Sequence, residues 1–493
     1  MTLIDSTRAV LGHAIEVFDG TPKESLARSA KQRLDGPLRV AIAGRVKAGK
    51  STLLNALVGE ELAPTDAGEC TKVVTWYQDG LTYEIKIRRI DGEITRARFT
   101  REGGAIEIDL GDLEPADIDR MVIDWPSSSL REMTLIDTPG IASLSHDISA
   151  RTHDFLTPDD EKPTEADAVL YLLRHLHATD IGFLEAFHDD DMAQATPINA
   201  IGVLSRADEI GVGRLDSMES AARIAHRFRS DPQLRKLCQT VVPVAGLLAQ
   251  TGASLTEDEY RALVRLARLP SETRSAMLLS VDRFTSESPE FDVLLPAERD
   301  HLLARLGLFG IRVSIRLILD GEAAGAGQLA SVLRALSGIE ELKSVLSNQF
   351  SRRADVLKSR TALLAIESLL INESSPDAMS LAADVEEIQA KAHEFAEIRL
   401  LNLIRTGATA VRPADVPEAE RLLGAEGASA HERLGLPDDT PVNDLIAALS
   451  GAISKWKRRA ENPMASREQV DASMVIVRSC EGLLADLFES SSG

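Results

Sequence analysis

Four short stretches carry residue types suited to holding a nucleoside triphosphate and a divalent cation. Gly44-Arg45-Val46-Lys47-Ala48-Gly49-Lys50-Ser51 fits G-x-x-x-x-G-K-[ST], with Thr52 next in the chain. In such a loop the backbone N–H groups wrap a phosphate, and glycine permits the close approach. Lys50 then reaches the β- and γ-phosphates, and the Ser51 hydroxyl binds Mg²⁺. A helix beginning at Lys50 would aim the positive end of its dipole at the anion.

Asp137-Thr138-Pro139-Gly140 follows the apolar run MTLID. A carboxylate at a strand's C-terminal end is placed to act on Mg²⁺, and the Gly140 N–H to sense a γ-phosphate. Alone, Pro-Gly is ordinary turn chemistry; its position after the phosphate loop makes the reading specific. Ser205-Arg206-Ala207-Asp208 ends the run INAIGVLS, where a guanine-reading N/T-K-x-D motif would lie. Asp208 would accept hydrogen bonds from guanine N1–H and its amino group, a pair of donors adenine lacks. The aliphatic stem of Arg206 would lie along the base. The competing reading of Asp208 is a helix cap. Further on, a backbone N–H near Ala245, after Val242-Pro243-Val244, would meet guanine O6. Thr71, 20 residues beyond Ser51, is the candidate switch residue that closes on Mg²⁺ and γ-phosphate, although an isolated threonine has a structural reading too. The metal set is therefore Ser51, Thr71 and Asp137. The expected ligands are GTP or GDP with Mg²⁺, and the expected reaction is GTP hydrolysis.

These residues need a parallel sheet to position them. Leu38–Gly44 reads as a strand and Lys50–Val58 as a helix. Strand-like runs recur at Val73–Tyr77, Tyr83–Ile90, Glu93–Phe99, Met133–Asp137, Ala168–Leu173, Ile198–Leu204 and Val241–Val244. Asp91-Gly92 marks a hairpin. From Met133 the strands alternate with helical patterns, so an α/β domain with a mostly parallel sheet and an added hairpin is expected over residues 36–250. The rest should be helical bundle. Residues 1–35 hold two helices, 251–372 a helical neck and 373–493 a helical trunk. Ser337–Glu340 has the form of a capping box opening a long helix striped by Ile339, Leu342, Leu346, Phe350, Leu357 and Leu364. A second long helix carries Leu381, Val385, Ile388, Ala392, Phe395 and Ile398 on one stripe.

The chain of 493 residues bears a formal net charge of −22, which gives no broad footprint for nucleic acid. Cys70, Cys238 and Cys480 are too far apart for a metal site and suit a reducing compartment. No run is long and apolar enough to span a bilayer, so a cytoplasmic protein is expected, with any membrane contact peripheral at the inner face of the plasma membrane. The dense basic cluster Lys455-Trp456-Lys457-Arg458-Arg459 ends a striped helix. It reads either as a seat on anionic lipid or as bundle core with cations at a helix C-terminus.

The order and spacing of the phosphate loop, switch threonine, DTPG and SRAD motifs resemble those of the dynamin-like large GTPases. The segment ADAVLYLLRHLHATD and the flanking helices agree. LLARLGLFGIRVSI and RADVLK extend the likeness over essentially the whole chain, to bacterial dynamin-like proteins of the isoniazid-inducible IniC type found in mycobacteria and their relatives. The resemblance implies a neck formed by residues 1–35 with part of the C-terminal half, moved by nucleotide state. It also implies self-association through GTPase domains or hetero-association with a related dynamin-like protein, and a role in membrane remodelling or envelope stress. Two departures bear on mechanism. Val46 and Lys47 stand where dynamins usually carry Gln and a small polar residue, and Ile141 stands where small GTPases place a water-orienting Gln. Lys47, or Arg45, would then supply the positive charge near the β–γ bridge. The alternatives are a switch acting on RNA or ribosomes, and a nucleotide-binding scaffold with little turnover that acts with a related subunit.

Overall fold

The computed structural model describes residues 2–63, 73–102, 105–139, 165–174, 181, 184, 199–286, 293–409 and 411–490. Thr71, Cys70, Gly140 and Ile141 lie outside them, as does part of Ala166–Asp180.

Eleven strands lie among the described residues: β1 (Leu38–Gly44), β2 (Thr75–Asp79), β3 (Glu84–Arg89), β4 (Ile94–Arg96), β5 (Arg98–Glu102), β6 (Ala105–Asp109), β7 (Ile118–Trp125), β8 (Met133–Asp137), β9 (Ala168–Leu173), β10 (Ala200–Ser205) and β11 (Val241–Val244). Nine of them form one sheet in the order β11-β10-β9-β1-β8-β2-β7-β3-β4, and β5 and β6 form a separate ribbon. From β11 to β8 every neighbouring pair is parallel. Beyond β8 the pairing is mixed, and the β3–β4 hairpin turns at Gly92 (φ 90°) on the sheet's edge.

β1 is apolar on both faces because both are covered. Leu38, Val40 and Ile42 enter one core, while Ala41 and Ala43 enter the other. The helix α3 (Lys50–Val58) packs in the first, and α4 (Ser217–Ser230) lends Ala221 and Ala225 to the second. Strand β7 was not expected from the sequence. Its run IDRMVIDW looks broken by charge, but Asp124 is satisfied from the flanking strands, accepting from Gln78 Nε2 and Lys86 Nζ at 2.6 Å each.

Further helices include α5 (Gly246–Ser254), α6 (Pro296–Leu319), α7 (Ala326–Leu336), α8 (Ile339–Gln349), α9 (Ala354–Leu370), α10 (Pro376–Lys391), α11 (His393–Thr406), α12 (Val442–Ala460) and α13 (Arg467–Ser490). The N-terminal pair, α1 (Leu3–Val17) and α2 (Pro22–Asp35), buries Leu11, Ala14, Phe18 and Leu34 against Leu363, Ile366, Leu381 and Val385 of α9 and α10.

Three expectations are corrected. No capping box opens α8: Gly338 in the left-handed region (φ 77°) is its cap, and Ser337 closes α7 instead, its hydroxyl donating to Arg334 O. The long stripe from Ile339 is two helices, not one. A 3-10 turn at Ser351–Arg353 separates them, and the buried Arg353 donates to the carbonyls of Leu423 and Gly424. The second stripe also breaks, at Ala392 (ψ 120°), where Arg399 Nη1 donates to Gln389 O at 2.9 Å.

Candidate nucleotide-binding site

The loop from β1 to α3 has a backbone that residue type dictates. Gly44 has φ 148°, and a Cβ there would stand 3.0 Å from both the Cβ and the carbonyl oxygen of Leu172 on β9. Gly49, at φ 95°, sits just before α3. Lys47 has φ 61°, a conformation uncommon for a residue with a side chain. Ala48 is buried, whereas Arg45, Val46 and Lys47 are exposed on the loop. Lys50 folds back over it, its Nζ 3.3 Å from Gly44 O and 3.4 Å from Arg45 O. Burial lowers the Lys50 pKa, with Asp137 opposing.

Strand β8 brings Asp137 to this lysine because it pairs directly with β1, Ile42 facing Asp137 in register. Thr138 holds the strand's end in place, its Oγ1 donating to Ile42 O at 2.9 Å. Ser51 Oγ donates to Asp137 Oδ2 at 2.9 Å. The other carboxylate oxygen, Oδ1, is buried with no hydrogen-bond partner among the described residues. Burial raises the Asp137 pKa, opposed by Lys50 and Ser51. A buried carboxylate with an unused oxygen, beside a hydroxyl, suits a hard divalent cation with oxygen ligands. Mg²⁺ fits this donor set.

The loop continues into a cleft of about 520 Å³ whose walls are Ala48, Gly49 and Thr52 on one side and Ser205, Arg206 and Asp208 on the other. Ser205 is buried at the end of β10, its Oγ donating to Leu173 O at 3.3 Å. Arg206, in the left-handed region at φ 52°, turns the chain and pairs with Glu209 at 2.6 Å. Asp208 is 6% exposed, and burial pushes its pKa up to about 6. It is the middle residue of a short 3-10 turn, Ala207–Glu209, whose N-cap is Arg206 and which has no side-chain cap bond.

One expectation is corrected here. The Ala245 N–H donates to Ser337 O at 2.9 Å and so is taken. The next two residues, Gly246 and Leu247, line the cleft instead. A second participant escaped the sequence reading. Helix α6 is interrupted at Gly307 (φ 61°, ψ 175°), and a Cβ there would lie 3.6 Å from Asp208 Oδ2. The kink thus sets helical-region backbone beside the Asp208 carboxylate. The glycine inside LLARLGLFGIRVSI shows in the sequence, but nothing local says that it faces Asp208.

The basic cluster at the end of α12 lies apart from the cleft. Trp456 is buried in the helical core. Lys455 pairs with Glu418, Lys457 with Glu481 and Arg459 with Asp415.

Residues 40–174 match the dynamin family. The isoniazid-induced protein IniC of Mycobacterium tuberculosis is 38% identical over 496 aligned positions, 99% of each chain. The chain belongs to the bacterial dynamin-like family, near IniC. A bacterial dynamin-like protein of Nostoc punctiforme is 30% identical over 130 residues, 24% of this chain and 19% of that one. Dynamin-like protein 2 of Campylobacter jejuni is 21% identical over 74% of this chain and 61% of its own. Family membership, the sheet order and the loop between β1 and α3 agree on a dynamin-like GTPase domain joined to helical bundle.

Proposed function

We propose that this chain binds GTP with Mg²⁺ and hydrolyses it, and that the nucleotide cycle drives movement of the helical region. The observation that carries this reading is the conjunction of Lys50, Ser51 and the half-used Asp137 carboxylate with a cleft that ends on the buried Asp208. Gly44 to Thr52 would hold the phosphates. Ser51, and Asp137 beside it, would hold Mg²⁺, which neutralises charge on the β- and γ-phosphate oxygens. Thr71 and Gly140 are proposed to complete the γ-phosphate end. Asp208 would read the guanine edge, Arg206 would cover the base, and the backbone at Gly246 and Leu247 takes the place expected for Ala245.

Lys47 is the proposed source of charge near the β–γ bridge, with Arg45 as its alternative. It is exposed and makes no ion pair among the described residues, so it is free to meet a ligand. Lys47→Ala should lower kcat by roughly tenfold or more while leaving GTP affinity nearly unchanged. Full kcat in that variant would remove the residue from the mechanism.

The working division is a GTPase domain over 36–250, a neck from 1–35 with 251–372, and a trunk over 373–493. The cellular setting proposed is cytoplasmic, peripheral at the inner face of the plasma membrane, in membrane remodelling or drug-linked envelope stress. Self-association through GTPase domains, or pairing with a related dynamin-like subunit, is proposed for the active form. Ile141 in place of a Gln favours a second reading, a nucleotide-binding scaffold with little turnover of its own. Single-turnover measurements with and without a related subunit separate the two. Hydrolysis by this chain alone would dispose of the scaffold.

A further inference from the structure

A cavity of about 670 Å³ opens where the C-terminal end of α12 meets the start of α13, far along the chain from the nucleotide cleft. Arg412, Arg458 and Arg459 line it, with Trp456 and Asn462. The one carboxylate in its wall is Asp415, and both its oxygens are engaged. Oδ1 accepts from Arg459 Nη2, and Oδ2 accepts from Arg412 Nε at 2.8 Å. Three guanidinium groups against one carboxylate leave the cavity with excess positive charge.

Donors there also outnumber acceptors. The Trp456 indole N–H is buried without an acceptor, and so is Arg459 Nη1, which stands 4.0 Å from Glu418 Oε2. Arg459 is held in place by stacking on the Trp456 ring, 4.4 Å from its centroid. Arg458 makes no ion pair among the described residues; its Nε donates to Ser454 O at 3.2 Å. Buried donors are normally satisfied, and an indole N–H can only donate. The cavity is therefore short of acceptor oxygens and negative charge. A carboxylate offers two oxygens, whereas a phosphate offers three or more with higher charge, and planar guanidinium forks match it.

We propose that this cavity binds a phosphate-bearing anion, held by Arg412, Arg458 and Arg459 together with the indole N–H of Trp456. The same chemistry is offered by free phosphates and by phospholipid headgroups. The cavity is separate from the nucleotide cleft, so its occupancy would give the helical region a ligand of its own.

The test uses the full chain with GDP and Mg²⁺ in excess, so that the loop at Gly44–Ser51 is filled. Pyrophosphate binding is measured by calorimetry. Vesicle binding is measured by co-sedimentation, with phosphatidylglycerol vesicles against vesicles of phosphatidylcholine alone. Arg458→Ala and the double variant Arg412→Ala/Arg458→Ala are compared with wild type, with melting temperature as the control for folding. Arg458, having no carboxylate partner, should be removable without unfolding the bundle. Loss of at least about tenfold in pyrophosphate affinity at unchanged melting temperature supports a soluble phosphate ligand. A matching loss confined to phosphatidylglycerol vesicles supports a headgroup. Equal binding by wild type and both variants in both arms, or no binding by wild type in either, overturns the proposal.

Discussion

Asp208 concentrates the problem of reading a base from a buried position. Burial raises its pKa to about 6, yet only the ionised carboxylate accepts both guanine donors. Its folded pKa is raised, so its own contribution to stability is present below the ordinary carboxylate range and lost as pH rises through about 6. Nucleotide affinity runs the other way. GDP binding should weaken by roughly tenfold between about pH 7.5 and about pH 5, as the protonated form takes over. The dependence should flatten in Asp208→Asn, which binds weakly throughout, and fluorescence titration of a labelled GDP would measure it. At the other end of the cleft, Ser51→Ala should cost about tenfold or more in GTP affinity with Mg²⁺ present and little in EDTA. Equal losses in both media would detach Ser51 from the metal. Lys50 and Ser51 were legible from their spacing in the loop that opens α3, Asp137 because it ends β8, and Asp208 because it follows β10 in the turn. Gly246, Leu247 and Gly307 were not. Their part depends on which backbone the fold lays beside Asp208, and no local pattern encodes that.

Among the elements, β1, α3, β8, β9 and β11 match the sequence reading to the residue, since each is a short, mostly apolar run. β7 and the two broken helices were hidden for a common reason. In each, a polar side chain takes its partner from outside its own element: Asp124 from β2 and β3, Arg353 from the carbonyls near Gly424, Arg399 from Gln389 across the break. Two junctions tie helices to the sheet. The turn between α7 and α8 presses on β11, where a Cβ at Gly338 would lie 2.1 Å from Pro243 O, and φ there is already 77°. Gly338→Ala should destabilise the protein by roughly 2–4 kcal/mol, combining a positive-φ side chain with a backbone clash. It should weaken nucleotide binding too, because Ser337 O holds Ala245 beside the cleft. At the second junction Arg33 of α2 reaches Asp167, with Nη2 to Oδ1 at 2.7 Å, while the Arg39 N–H donates to Oδ2 at 2.9 Å. The Asp167 side chain is fully buried, so Asp167→Ala removes the carboxylate that Arg33 and the Arg39 N–H share and should cost about 3–5 kcal/mol in urea unfolding.

For the whole molecule, the N-terminal helices and the α7–α8 turn approach the sheet from separate parts of the chain, and α6 reaches Asp208 through its kink. A change at Asp208 therefore meets helical-region backbone directly, without a long relay. No helix among the described residues is long and apolar enough to cross a membrane. The central claim is that the cleft turns over GTP. Steady-state phosphate release from GTP and from ATP, with Mg²⁺, by the wild-type chain and by Lys50→Ala tests it most directly. The account predicts turnover selective for GTP, absent in Lys50→Ala. Equal rates in the two proteins, or no preference for GTP over ATP, would contradict it.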